Sequence, residues 1–130
     1  MKPQQRSGRR DRDRGSVDMI VALPLAFTML LGIVQYTLWT HAHHRAQAIA
    51  TEALAGGRVF NGTEHGGEER GHALADDLGG TLLRDTAIDV RRQGGTTHVT
   101  VDATTVGLLP GWNPGVHVSL TGPTEHVERP

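Results

Sequence analysis

From Met19 to Trp39 the chain runs for 21 residues without a charged side chain, directly after the arginine-crowded segment Arg9-Arg10-Asp11-Arg12-Asp13-Arg14-Gly15. At the helical rise per residue this stretch is about 31 Å long, enough to cross the hydrocarbon core of a bilayer. Ten of its residues are Leu, Ile, Val or Phe, each worth roughly −0.3 to −0.6 kcal/mol on insertion near a helix centre. Thr28, Gln35 and Thr37 weaken that drive without reversing it. A buried core helix is the competing reading, but so long an uncharged run rarely sits inside so small a domain.

The flanks set an orientation. Six basic residues (Lys2, Arg6, Arg9, Arg10, Arg12, Arg14) precede Met19 against three aspartates, whereas residues 40–130 hold seven arginines and eleven acids. Basic residues packed just before a span hold that end in the cytoplasm, so the remainder is expected outside. Tyr36 and Trp39 stand near the outer boundary, where amphipathic rings prefer to lie. A cleavable secretory signal is disfavoured because the apolar run exceeds the usual length and no small-residue cleavage site follows it directly. A twin-arginine signal is weak as well, since Arg9-Arg10 is followed by further charge.

In 130 residues there is room for one span and one small exported module. The expected division is a basic cytoplasmic leader over 1–15, a transmembrane and extended helix over 16–57, and a small extracytoplasmic module over 58–130. A net charge of −1 gives no bulk attraction to nucleic acid, and the absence of cysteine excludes disulfides and thiol chemistry. A module of this size is marginal alone and needs another element to complete its core.

The residue pattern fills in that module. Ala42, Ala46, Ile49 and Ala53 recur at steps of four, three and four, one stripe of a helix running on from the span. Gly56-Gly57 is expected to stop it. Residues 58–66 read as a loop and 68–78 as a short helix, with Glu68-Glu69 suiting its N-terminal dipole and Gly79-Gly80 ending it. Ile88 and Val90, then Val99, Val101 and Ala103, alternate with polar residues on either side of Gln93-Gly94-Gly95-Thr96, a hairpin signature. A third strand is expected over 116–120, and the tail after Gly122 reads as loose. The fold class is therefore α+β: a long N-terminal transmembrane helix extending into an exported amphipathic helix, a short second helix and a small antiparallel three-stranded sheet whose dry face the helices cover.

Chemistry finds little purchase. The chain has no nucleophile elbow, phosphate loop or His-Glu-x-x-His, so no enzyme is expected. His41, His43 and His44 invite a metal, with His65 and His72 as further candidates, but no acid stands at a helical step matching His41 and His44, and neither metal nor cofactor is expected. Asn61-Gly62-Thr63 matches the glycosylation sequon and reads here as a turn.

The leader ending in Gly15-Ser16, the apolar helix with its early proline in Asp13-Arg14-Gly15-Ser16-Val17-Asp18-Met19-Ile20-Val21-Ala22-Leu23-Pro24, and the small sheet that follows resemble the TadE/TadG-like family of pilus-assembly proteins. The resemblance implies a pilin-like fold and a structural role as minor pilin or pseudopilin in a tight-adherence pilus or related secretion system. It also implies other pilin-like subunits, the assembly machinery and a prepilin peptidase as partners. Family members are cut after a glycine and carry an assembly glutamate five residues beyond the cut. Aligned by glycine, the scissile bond is Gly15–Ser16 and the acid position is Ile20. Aligned by Pro24, the acid is Asp18 and no glycine stands at the cut. Cleavage and retention of the leader both stay open. Independently of the resemblance, Asp18 borders the span and could pair with a neighbour's basic N-terminus, and Pro24 should bend the span. The alternative function is a single-pass membrane-anchored envelope protein whose exported module, through its sheet or Trp112 loop, binds a ligand or partner.

Overall fold

The structure, a computed structural model, describes residues 10–126, with side chains described except at residues 10–14 and Gly79. Residues 1–9 of the basic leader lie outside the described residues, as do residues 127–130. The element order is α1 (Arg10–Arg58), α2 (Glu64–Gly79), β1 (Leu83–Gln93), β2 (Thr96–Thr105) and β3 (Gly115–Pro123). The fold is α+β, with one antiparallel sheet in the order β1-β2-β3. The chain divides into two units, Met1–Val34 and Gln35–Pro130.

Within the first unit α1 begins at Arg10, earlier than the expected Ser16. No proline or glycine interrupts residues 10–14 and arginine is a good helix former, so the helix extends back into the leader. Pro24 lies inside the helix. It offers no N–H to the carbonyl of Ile20, one turn earlier.

Within the second unit a heptad-like stripe of α1 faces the sheet. Ala42, Ala46, Ile49, Ala50 and Ala53 are buried with Leu83, Ile88, Val90, Val99, Val101, Ala103, Val116 and Val118 in one core. On β2 every odd residue from Thr97 to Thr105 is buried, so one face is dry and the other wet. The Gly94-Gly95 turn joins β1 to β2 with both residues at positive φ (60° and 78°), the two-residue loop whose twist matches a hairpin.

Several boundaries differ from the sequence expectation. Gly56 and Gly57 do not end α1, which continues to Arg58. These glycines make room for neighbours. A Cβ on Gly56 would come within 3.2 Å of the Gly67 Cα, and one on Gly57 within 2.9 Å of Val90 Cγ1. The chain turns instead at Asn61, which takes φ 63°. Helix α2 starts at Glu64, before the expected Glu68, because Thr63 caps it by accepting the Gly66 N–H at 2.9 Å. The Asn61-Gly62-Thr63 segment is thus a turn and cap. Strand β1 reaches back to Leu83 through a bulge between Arg84 and Ala87, where Asp85 adopts φ 51°. The tail is not loose through His126: the buried Thr124 shares a 2.8 Å hydroxyl bond with Thr97, and its N–H donates to Gly95 O, while Glu125 N–H donates to Arg58 O.

A candidate membrane stem and assembly interface

The functional surface starts from the apolar half of α1. From Val17 to Leu30 its large apolar side chains are 56–67 % exposed, on every face of the helix. A helix that is apolar all round must be covered by protein or by lipid. Within the first unit nothing covers it, and it is long and apolar enough to cross a membrane once.

The residues that the family resemblance singles out, Gly15, Ser16, Asp18 and Pro24, all lie on this helix. Gly15 and Ser16 are exposed, and a Cβ on Gly15 would meet nothing within 4 Å. The Gly15–Ser16 bond lies inside regular helix. Asp18 is exposed less than a turn later. Pro24 lies about 9 Å further along, and its carbonyl accepts the Thr28 hydroxyl at 2.7 Å. That is the ordinary i−4 back-bond of a helical threonine, and it does not reach the Ile20 carbonyl that Pro24 leaves without a donor. These four residues share one helix.

Where the stem meets the module, the second unit holds a contact that the sequence reading missed. Gln35 is only 6 % exposed. Its Nε2 donates to Val106 O at 3.2 Å, and its Oε1 accepts the Leu108 N–H at 2.7 Å. One amide therefore clasps the β2–β3 loop from both sides. Trp39 adds a third tie by donating from Nε1 to Gly115 O at 3.1 Å. Tyr36, Trp39 and His43 stack along the helix, with ring centroids 6.3 and 5.4 Å apart. The available signal was spacing: Gln35 and Trp39 continue the stripe of Ala42 and Ala46 backwards by the same steps of four and three.

A second unforeseen arrangement closes the outer edge of β1. Glu64 Oε1 accepts the Arg92 N–H at 2.7 Å, and Glu68 Oε1 accepts the Val90 N–H at 3.3 Å. Four residues of helix advance about 6.0 Å and two residues of strand about 6.6 Å, so carboxylates one helical turn apart meet alternate strand amides. Glu68, expected to serve its own helix dipole, is a ligand for the strand. Arg45 of α1 donates to Leu78 O at 2.7 Å and supplies the positive end-group that the last turn of α2 lacks.

On the wet face of the sheet the polar groups are exposed. His117 meets Asp102 at 2.5 Å and His98 meets Thr121 at 2.8 Å on the wet face of the sheet. The Asp89 carboxylate hydrogen-bonds Arg91 and raises its pKa. Among the described residues no group of three or more His, Asp or Glu is arranged to hold a metal.

Residues 15–54 match the family model of TadE-like proteins. The match covers α1 from the glycine of the leader to the buried alanine stripe, and it bears out the family resemblance carried by that segment. The match spans the stem and the start of the packed helix, and what it implies for function belongs to that segment. No curated protein and no solved structure gives a significant match.

Proposed function

With a TadE-like stem as the premise, we propose that the chain is a minor pilin or assembly component of a tight-adherence pilus or related secretion system. It crosses the membrane once, with residues 1–15 in the cytoplasm, 16–57 as stem and 58–130 in the extracytoplasmic module. The observation that carries this reading is the wholly exposed apolar helix within the matched segment. The stem waits in the bilayer and packs against other such stems through van der Waals contact at small residues, Ala22, Ala26 and Gly32. Asp18 pairs with a basic N-terminal group of a neighbouring subunit. The chain performs no reaction of its own.

Intact-mass measurement of the protein from membrane and sheared surface fractions tests this function. A mature chain beginning at Ser16 and present in the sheared fraction is the expected result for a processed pilin, and it makes the prepilin peptidase a partner. A full-length chain confined to the membrane and absent from fibres would overturn the filament role and favour the anchored binding module.

A further inference from the structure

We propose that the loop between β2 and β3 is a second membrane contact, which dips Leu108, Leu109 and Trp112 into the outer interface of the bilayer that holds the stem. The proposal rests on the membrane-anchored reading of the stem and adds a lipid-binding surface to the module.

The loop is built for it. From Ala103 to Val116 no residue is charged. Leu108, Leu109 and Trp112 are 38, 50 and 50 % exposed, large apolar side chains turned outward on one short loop. Leu109-Pro110-Gly111-Trp112 forms a tight turn closed by the Trp112 N–H on Leu109 O at 3.2 Å, with Gly111 at φ 77°. Proline then glycine at the two central positions are the type II preference, so the presentation of Leu109 and Trp112 is fixed by local sequence.

The position of the loop identifies the occupant. It is clasped by Gln35, which lies inside the uncharged run Met19–Trp39, immediately before the Tyr36–Trp39–His43 column. A loop tied to that residue sits at the depth where the run ends, and lipid lies at that depth. Its backbone fixes how deep it goes. Pro110 and Pro114 have no N–H, and Leu108 and Trp112 have partners for theirs. Gly107, Leu109, Gly111 and Asn113 still need acceptors, which headgroups and interfacial water supply and hydrocarbon does not. The side chains therefore enter while the backbone stays in the interface, the depth at which tryptophan is favoured.

The chain has no cysteine, so single labels are unambiguous. Full-length variants L109C, I33C and T121C, each carrying a nitroxide, are reconstituted at high lipid-to-protein ratio in phosphatidylethanolamine/phosphatidylglycerol vesicles. Collision with oxygen is compared with collision with a water-soluble nickel chelate. The expected result is oxygen preference at Ile33→Cys, weaker oxygen preference at Leu109→Cys, and nickel preference at Thr121→Cys. Oxygen preference at position 33 with nickel preference at 109 would overturn the loop proposal and leave the stem in place. Nickel preference at position 33 would overturn the anchored stem and the loop proposal together. Shielding of position 109 from both reagents, with spin–spin broadening, would show a second copy covering the loop and would also contradict the proposal. The tryptophans supply an independent reading that leaves the loop unlabelled. In W39F, Trp112 fluorescence should be quenched by lipids brominated near the headgroup end of the chains. Quenching by aqueous iodide alone would count against it.

Discussion

Gln35 shows how one polar side chain can do opposite things in two environments. In the unfolded chain it weakens an otherwise apolar run; in the fold its amide satisfies one acceptor and one donor of a loop 71 and 73 residues away. Gln35→Leu should make the run more apolar and the module less stable. Removing the partner of a buried amide costs about 1–3 kcal/mol, so the unfolding transition of the full chain in detergent should move to lower denaturant while membrane insertion is unchanged. An unchanged transition would mean that the clasp contributes nothing. Gly67 makes a comparable case by its smallness. A Cβ there would stand 2.8 Å from the Ala53 carbonyl and 3.0 Å from the Gly57 nitrogen. Gly67→Ala should therefore destabilise the α1–α2 crossing by about 1–3 kcal/mol, the usual cost of overpacking, despite the better helix propensity of alanine. Greater stability in the same denaturation experiment would contradict the close crossing.

The elements differ in how openly the sequence announces them. Unbroken alternation on β2, the Gly94-Gly95 turn and the Ala42-Ala46-Ile49-Ala53 stripe were all legible, because period and turn chemistry are local properties. The start of β1 was not. The bulge at Asp85 changes parity between Leu83 and Ile88, both buried, so no single alternation links them. The glycines of α1 and α2 read as breakers because glycine marks both helix ends and close crossings, and only the neighbour distinguishes the two. The stem was legible as a span, and Gly15, Ser16, Asp18 and Pro24 could be placed on it. The clasp and the strand-capping carboxylates were not, since each joins residues far apart in sequence. At this scale the double substitution of Glu64 and Glu68 by Ala should bare the amides of Val90 and Arg92 on an edge strand, and exposed edges pair with other chains. Sedimentation in detergent should show increased self-association, whereas Glu64→Gln, which keeps an acceptor oxygen, should not. Equal behaviour of all three proteins would rule out edge protection. For the stem, Pro24→Leu should restore the missing backbone bond, leave insertion intact and reduce incorporation into fibres; undiminished incorporation would exclude a role for the proline.

As a whole molecule, the chain combines an apolar helix that cannot remain in water with a small alanine- and valine-lined core. Alanines on the stripe of α1 let the sheet lie close, and they replace the larger core that a module of this size cannot build for itself. The stem, which lies in the segment similar to TadE-like proteins, is thus continuous in sequence and in helix with the element on which the module folds. Removing α1 as a whole would strip the sheet of its cover as well as its anchor. The most direct test is alkaline carbonate extraction of native membranes, followed by intact-mass measurement of the protein in each fraction. The account predicts that the chain stays with the lipid and that its mass includes Met19–Trp39. Recovery in the soluble fraction, or a mass that begins downstream of Trp39, would contradict it.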